Sequence, residues 1–365
     1  MWVKIFIAVA LTALVGIIYL VSRFHRFRCL EQLGQKHKLL SWVIAALLAA
    51  GILSTAFLFN RYTMPVLIIY FMVIWIFCDL TAWIIRKIRK KERTRNYAGG
   101  AALLLTFAVL GAGWYFAHHI YRTAYSVRSD KLAPDAHLRA VMLADTHLGL
   151  TLNGEKFTAL CSRIQQENPD LVLICGDFVD DESEKADMLA ACEALGKLST
   201  EYGVFYVYGN HDRGYFHYRD FTDDELAAEL TENGVKILYD ETAEIADEYY
   251  ICGRRDCYDS DRKTAQELTE PLDQSKYIIM LDHQPNDYDA EAAAGADLVL
   301  SGHTHGGQLF PAGLIGLAIG ANDRVYGTEM RGNTQFIVTS GASGWAIPFK
   351  TGCISEYCVI DIAGK

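Results

Sequence analysis

The first third of the chain is dominated by long apolar stretches, in which only Lys4 and Asp79 are charged. They lie at about residues 2–22, 39–60, 64–85 and 99–120. Each is close to the roughly 20 residues that cross the core of a bilayer as a helix. A buried soluble helical bundle would rarely show four such stretches in succession. The pattern therefore predicts four transmembrane helices within residues 1–122, followed by a linker over 123–136.

From residue 137 the pattern changes to short apolar runs that alternate with segments of helical periodicity. Runs such as DLVLICGD, YIIMLDH and ADLVLSG have the length and the Val, Ile and Leu content of buried strands, and Gly, Asp or Asn bounds them. Strands that alternate with helices predict an α/β layered domain over residues 137–365. No internal repeat and no further domain boundary is visible in this part of the sequence.

Five of these apolar runs end in residues of the types that bind metal ions. They are Asp145 and His147 in LADTH, Asp177 in CGD, Asn210, His211 and Asp212 in YGNHD, His283 in LDH, and His303 and His305 in SGHTH. Each cluster has an ordinary explanation when taken singly, as a turn or a helix cap. Ligands of open α/β sheets gather beyond the carboxyl ends of the strands. We therefore expect all five clusters to converge on one rim of the domain.

The residue types restrict the kind of ion. Carboxylate, imidazole and amide ligands without thiolate suit Mn, Fe, Zn or Ni, and the many imidazoles argue against calcium. Seven candidate ligands exceed what one tetrahedral ion takes, so two divalent ions that share a carboxylate are expected. Such a pair clamps the attacking and leaving oxygens of an in-line displacement, and a bridging water becomes a hydroxide near neutral pH. A phosphoryl group is the expected substrate.

Net charge divides the chain at the same place. Up to residue 132 there are 17 Lys and Arg against four acidic residues, and afterwards 17 against 40. The basic residues cluster after the first and third apolar stretches, which places those loops in the cytoplasm and the acidic domain outside it. Nucleic acid is not an expected partner of so acidic a domain. The expected partners are the lipid bilayer and a phosphorylated small-molecule or lipid-linked substrate, and no protein partner is predicted.

Other polar residues of the domain allow two interpretations. Arg254 and Arg255 in CGRRDCYDS could grip a phosphate or could form a solvated loop. His217, shortly after the GNHD motif, could line the substrate cleft. The short-spaced pairs Cys252/Cys257 and Cys353/Cys358 could form disulfides in an oxidising compartment or could remain free thiols.

The ordered motifs DTH, GD, GNHD, a lone histidine after a strand, and GHTH resemble those of the calcineurin-like metallophosphoesterases. The resemblance covers nearly all of residues 137–365. The longer GHTHGGQ, with LFPAGLIG after it and SGASGWAIPFKTGC near the end, is similar to a membrane-associated branch whose members resemble lipid-sugar nucleotide pyrophosphatases. The resemblance implies a two-sheet β-sandwich flanked by helices, here preceded by the transmembrane region.

The resemblance also implies a role for each motif residue. One metal would take Asp145, His147, Asp177 and His305, and the second would share Asp177 and take Asn210, His283 and His303. His211 would act as a general acid or charge stabiliser, with Asp212 orienting its imidazole. No ligand position of the family pattern is missing.

These observations predict a membrane-anchored dinuclear-metal phosphoesterase, with manganese as the first expectation. It would hydrolyse phosphate ester or pyrophosphate bonds of lipid-linked or nucleotide-linked substrates outside the cytoplasmic membrane. The alternative is a non-catalytic metal-binding or interaction module on a phosphoesterase scaffold, although such scaffolds usually lose ligands. A transporter or sensor in which the helices do the main work is supported only by Asp79.

Overall fold

A computed structural model describes residues 2–60, 62–90, 96–216 and 218–365 of the chain. The chain divides into two compact units, Met1–Ala112 and Gly113–Lys365. All nine cysteines are free thiols, which answers the question left open for the two short-spaced pairs.

The first unit is helical. Its helices are α1 (Trp2–His25), α2 (Arg28–Lys36), α3 (Lys38–Ser54), α4 (Thr63–Arg89) and α5 (Tyr97–His118), and a 3₁₀ turn (Thr55–Leu58) extends α3. In the described part of the chain, three helical segments are long and apolar enough to cross a membrane, namely Lys38–Leu58, α4 and α5. A fourth span results if Ala10–His25 and α2, which are bent by 82°, count as one. All four predicted apolar stretches are therefore helical. The short helix α2, which follows the first of them, was not predicted from the sequence.

The carboxylate of Asp79 on α4 is paired with Arg23 on α1, with Nη1 of the arginine 3.1 Å from Oδ2. Arg23 lies near the C-terminal end of α1, and Asp79 lies in the C-terminal half of α4. These two ends are therefore on the same side of the helical unit. A basic segment follows each of them in the sequence.

The second unit contains two six-stranded mixed sheets flanked by helices, as the resemblance implied. Its strands are β1 (Ile120–Ser129), β2 (His137–Leu143), β3 (Leu171–Cys175), β4 (Gly203–Val207), β5 (Val235–Ile237), β6 (Glu241–Ile245), β7 (Tyr249–Gly253), β8 (Tyr277–Leu281), β9 (Leu298–Ser301), β10 (Gly327–Arg331), β11 (Thr334–Val338) and β12 (Ser355–Gly364). Its helices are α6 (Gly154–Gln165), α7 (Lys185–Gly196), α8 (Asp223–Glu232), α9 (Ala265–Thr269), α10 (Tyr288–Ala293) and α11 (Ala312–Ala318). The strand orders are β1-β12-β2-β3-β4-β5 and β10-β11-β9-β8-β7-β6.

The central strands are apolar along their whole length because both of their faces are buried. Leu173 of β3 and Phe205 of β4 belong to a core shared with Ile279 and Leu300 of the second sheet. The alternate residue Ile174 packs in a separate core with side chains of α6 and α7. Parallel strands covered on both faces read as continuous apolar runs. This packing explains why the sequence pattern located these strands well.

The first half of the predicted linker over residues 123–136 is a strand and not a linker. Residues 120–129 form β1, which pairs in parallel with β12 from Ile120↔Ser355 to Ser129↔Gly364. The strand lies at a sheet edge, and its exposed and less exposed side chains alternate, so it lacks the apolar run that marks a buried strand. Only one residue, His119, separates α5 from this strand.

Candidate metal centre

The predicted ligands lie just beyond the carboxyl ends of five strands, three from the first sheet and two from the second. Two groups of side chains converge there: Asp145, His147 and His305 in one, and Asp177, His283 and His303 in the other. Within each group the potential ligand atoms all lie within 4.8 Å of one another. Each group draws on both sheets. The structure therefore brings six of the seven predicted ligands together at one rim.

The backbone is unusual at most of these positions. Left-handed φ angles occur at Asp145 (52°), His147 (36°), Asp177 (53°), His303 (69°) and His305 (48°). Such conformations cost a residue with a side chain on the order of 1–3 kcal/mol each, and they cluster at functional sites. Five strained residues at one rim indicate that local stability is lower there and that the strained backbone directs these side chains toward a common point.

Both carboxylates of the rim are buried and held by backbone amides. The amide of His303 donates to Oδ1 and Oδ2 of Asp145, at 2.9 and 3.0 Å, and the amide of His211 donates to Oδ1 of Asp177 at 2.8 Å. Residue 209 must be a glycine for Asp177 to fit, because a Cβ atom there would lie 2.2 Å from Oδ1 of Asp177. In the described part of the chain, Asp177 forms ion pairs only with histidines.

Burial and mutual contact set the protonation of these groups. Burial raises the pKa of Asp145 to about 6, against the opposing effect of His283. Burial alone would lower the pKa of His283, but the neighbouring Asp177 raises it to about 10. Burial lowers the pKa of His303 to about 4 and also lowers that of His305. Without metal, the imidazole of His303 is thus neutral near pH 7, whereas that of His283 carries a charge beside the carboxylate of Asp177.

The orientation of the imidazoles fits metal ions. Nδ1 of His283 donates to the carbonyl of Cys175 at 2.8 Å, which leaves Nε2 directed toward Asp177 at 3.2 Å without a hydrogen bond. Metal-binding histidines commonly donate their second ring nitrogen to such a carbonyl. Nε2 of His147 and Nε2 of His305 lie 3.3 Å apart, so two ring nitrogens point at one spot. The residues present therefore fit divalent cations.

Asn210 is the predicted ligand that the structure leaves outside these contacts. Its Oδ1 accepts a hydrogen bond from Gln284 at 3.3 Å, and its Nδ2 donates to the hydroxyl of Tyr215 at 2.9 Å. The residue follows β4 at the same rim as the two groups. Its role as a ligand stays a prediction.

His211 lies beside the rim, and one nitrogen of its imidazole ring is not hydrogen-bonded. Its centroid is 5.2 Å from those of His147 and Trp345 and 5.1 Å from that of Tyr215, and its Nδ1 has no hydrogen-bond partner. Burial lowers its pKa to about 4. This position suits contact with a substrate oxygen, which is the role that the sequence predicted.

The predicted role of Asp212 is wrong. Its carboxylate is fully buried and accepts hydrogen bonds from four backbone amides, at distances of 2.7–3.1 Å. The donors are Asp177, Phe178, Val179 and Gly209. With these bonds it ties the loop after β3 to the loop after β4. Asp212 therefore positions Asp177 and does not orient the imidazole of His211.

The predicted substrate-binding residues also need correction. Arg254 is only 3% exposed, and its Nη1 contacts Asp282, Asp287 and Glu291 at 2.8, 2.9 and 3.1 Å. Internal carboxylates thus occupy the guanidinium that was expected to grip a phosphate.

The neighbouring Arg255 pairs with Asp240 at 3.1 Å, and its guanidinium carbon lies 3.9 Å from the ring centroid of Tyr239. Its side chain is 26% exposed, so a role in substrate binding stays a prediction. His217 lies outside the described residues.

Three supporting residues were missed. Oδ2 of Asp180 lies 3.4 Å from Nδ1 of His147. In the sequence, only its position three residues after Asp177, in GDFVD, could have pointed to this contact. The side chain of Gln308 donates to the carbonyls of Trp345 and Ile347 and accepts from the amide of Trp345, which accounts for the GGQ of the GHTHGGQ motif. Lys350 is fully buried and donates to backbone carbonyls of the same loop, a contact that no sequence pattern announces.

The fold and this rim define the class as that of the metallophosphoesterases. The family profile described as calcineurin-like phosphoesterase matches residues 138–307. An uncharacterized metallophosphoesterase of Campylobacter jejuni is 30% identical over 311 residues, covering 82% of this chain and 80% of that protein. One from Aquifex aeolicus is 30% identical over 267 residues, covering 70% and 97%. The chain belongs to the calcineurin-like phosphoesterase family.

Some relatives are named as transmembrane proteins. A transmembrane protein with metallophosphoesterase domain from Danio rerio is 32% identical over 235 residues, which cover 60% of this chain and 52% of that protein. This chain thus spans about half the length of that relative. The family uses divalent metal ions, and hydrolysis of phosphoester bonds is the activity that membership implies.

Proposed function

We propose that this protein is a membrane-anchored phosphoesterase with two metal ions that hydrolyses a phosphate ester or pyrophosphate bond of a lipid-linked or nucleotide-linked substrate. The observation that carries the proposal is the rim itself. Two groups of buried carboxylates and imidazoles meet there. In the described part of the chain, Asp177 has no Lys or Arg as an ion-pair partner and Asp145 forms no ion pair. Buried charge of this kind calls for compensating cations.

The two groups would hold the two ions. Asp145, His147 and His305 would hold one, and Asp177, His283 and His303 the other, with Asn210 alongside and Asp177 shared. Manganese is the first expectation for this mixture of oxygen and nitrogen ligands. When bound, the two ions would polarise a phosphoryl oxygen and activate water for attack.

The side chains around the ions have separate tasks. Asp212 keeps Asp177 in place, because its carboxylate accepts hydrogen bonds from the backbone amides of Asp177 and its neighbours. His211, with a pKa of about 4, is a neutral imidazole near pH 7. One of its nitrogens still carries a hydrogen that can be donated. It would therefore stabilise charge on a phosphoryl or leaving-group oxygen by hydrogen bonding.

An extracytoplasmic location of the rim is part of the proposal. The pairing of Arg23 with Asp79 supports the same side for the C-terminal ends of α1 and α4, and basic residues follow both ends. By the positive-inside rule that side is the cytoplasm, so α5 would cross outward. Labelling of a C-terminal cysteine tag in intact cells by an impermeant maleimide would test this. Labelling only after lysis would reject the orientation.

The class of activity is tested with the full chain in detergent. We expect Mn²⁺-dependent hydrolysis of an aryl phosphomonoester or diester and loss of that activity in Asp177→Ala. Asp289→Ala is the matched control, because that side chain is 94% exposed. Equal turnover by wild type and Asp177→Ala would reject the proposal. Two bound ions per chain without turnover would instead support the non-catalytic metal-binding module.

A further inference from the structure

A stretch of the second unit is apolar and yet exposed. Residues 309–321, LFPAGLIGLAIGA, contain no charged side chain, and α11 within them has no buried residue. The exposed fractions are 61% for Phe310, 61% for Leu314, 54% for Ile315, 45% for Leu317 and 72% for Ile319. Contiguous exposed apolar surface usually marks an interaction site. We call residues 309–321 the apolar segment.

The apolar segment begins on the metal rim. It follows the GHTHGGQ motif directly, and Gly307 lies against Gly313 of α11. A Cβ atom on Gly307 would be 2.5 Å from the Cα atom of Gly313. Two residues before Gly307 stands His305, a member of the first ligand group. Whatever covers the apolar segment is therefore close to the candidate metal ligand His305.

The segment is also tied to the last turns of α5. The amide of Lys350 donates to the carbonyl of Gly113 at 2.8 Å. The next residue, Thr351, donates from its amide to the carbonyl of Gln308 at 2.8 Å, and its Oγ1 accepts from the amide of Phe310 at 3.1 Å. Two consecutive residues thus connect α5 to the start of the apolar segment.

This connection sets the depth of the segment. Gly113 lies five residues before the end of α5, which is about 7.5 Å along the helix axis. The sequence there, GWYFAH, is still apolar and aromatic, as is typical of a helix that leaves a bilayer. The start of the apolar segment is therefore connected, through hydrogen bonds of Lys350 and Thr351, to the part of α5 at which a membrane-crossing helix would leave the bilayer.

We propose that the apolar segment inserts into the lipid surface of the membrane that α5 crosses, and that the rim thereby takes a phosphate carried by a membrane lipid. Because the segment has no Lys or Arg, insertion relies on apolar burial and needs no anionic lipid. The occupant is the bilayer because α5 is continuous with this unit. The lipid substrate rests on the proposed function, whereas insertion does not.

Photolabelling tests insertion without any turnover. The full chain is placed in phosphatidylcholine nanodiscs that contain a phosphatidylcholine with a diazirine in its acyl chain. We expect adducts in residues 309–321 and in α4, the internal positive control. α8 is the negative control, because it packs on β5, about 24 Å across the first sheet from β1. Adducts in α4 without adducts in 309–321 would overturn insertion and leave a protein partner as the occupant.

A variant separates insertion from folding and from catalysis. In Leu314→Glu/Ile319→Glu we expect labelling of the segment to fall at least about fivefold, with α4 labelling and turnover of a soluble aryl phosphate unchanged. Met330→Glu is the matched control, since Met330 is 58% exposed on β10. Undiminished labelling of the double variant would contradict insertion, whereas absence of turnover in every protein would reject only the proposed function.

The substrate class has its own measurement. Phosphatidic acid in the nanodisc should compete with the soluble aryl phosphate and raise its apparent KM at least about fivefold for wild type. The double variant should show much less competition, because without insertion its apolar segment no longer brings lipid headgroups to the rim. No competition in either protein would overturn the assignment of a lipid phosphate, even where photolabelling confirms insertion.

Discussion

The second unit buries two acidic clusters that are neutralised in different ways. In one, Arg254 contacts Asp282, Asp287 and Glu291, and Arg262 also pairs with Asp282. In the other, the metal rim, Asp177 is paired only with histidines in the described part of the chain. The first cluster carries permanent arginine cations, while the second has only the imidazole of His283, whose pKa, despite burial, Asp177 raises to about 10, unless ions bind from outside.

This difference separates structural from functional charge. Isolated buried charges are costly, so a folded chain must compensate them internally or bind a counter-ion. In the arginine cluster, Arg254 and Arg262 supply the counter-charges from within the chain. Both arginines bind Asp282, which directly precedes His283, so the cluster also holds the start of the loop that carries this histidine. The rim is incomplete without metal. Four variants test this contrast, and the largest effect is expected at Asp177, the carboxylate that the proposed ions would share.

Asp177→Asn removes the charge that the proposed ions would share while keeping the size of the side chain. We expect turnover to fall about 10³-fold, the upper range for loss of one electrostatic group at a reacting centre. Bound manganese, measured by elemental analysis, should fall below two ions per chain. Asp289→Asn should change neither quantity. A variant that keeps full activity would show that the rim is not the reacting centre.

Arg254→Met removes one of the two cations of the other cluster, so that Asp282 keeps Arg262 while Asp287 and Glu291 lose their arginine. Breaking a buried pair in this way costs about 3–5 kcal/mol. We expect a large drop in the unfolding midpoint of the detergent-solubilised chain, measured by differential scanning fluorimetry. Arg122→Met breaks a partly exposed pair with Glu167 and should cost at most about 1 kcal/mol. Unchanged stability together with a raised KM would restore the substrate-binding role for Arg254.

The contrast also explains what the sequence could predict. Asp145, Asp177, His283, His303 and His305 follow buried strands whose apolar runs are visible locally, so their convergence followed from one rule about strand ends. The two-sheet fold came from the family resemblance, not from periodicity.

Contacts between residues far apart in the sequence could not be predicted in this way, because no local pattern of apolar residues marks them. Arg254 meets Glu291, 37 residues away, and Asp212 meets amides 33–35 residues away. Nothing near either residue distinguishes an internal counter-ion from a phosphate ligand. The edge strand β1 was missed for a related reason, because its pairing with β12 joins residues more than 230 positions apart.

Asp180→Asn tests how far the rim depends on an outer carboxylate. Asp180 lies 3.4 Å from Nδ1 of His147, and such partners orient a metal-binding imidazole. We expect a loss of about 10- to 100-fold in metal affinity or activity, smaller than that of Asp177→Asn. Titration with manganese should restore part of the activity. Asp224→Asn, on the exposed face of α8, is the control, and equal behaviour of the two variants would exclude this role for Asp180.

The smallest effect is expected on stability at Asp145, and its sign is the reverse of that at Arg254. Burial raises the pKa of Asp145 to about 6, against the effect of His283, so without metal the folded protein keeps a proton that the unfolded chain has lost. Its stability therefore falls as pH rises from about 4 to about 6 and does not recover above that. Asn cannot ionise and escapes this loss.

At pH 8 in EDTA, Asp145→Asn should thus be more stable than wild type by about 0.5–2 kcal/mol, the usual gain when a functional strain is removed. At pH 4 the two proteins should unfold at nearly the same temperature. Added manganese should reverse the order at pH 8, because only wild type supplies the full ligand set. A variant that is less stable than wild type in EDTA at pH 8 would mean that the rim, like the arginine cluster, is balanced by the chain alone.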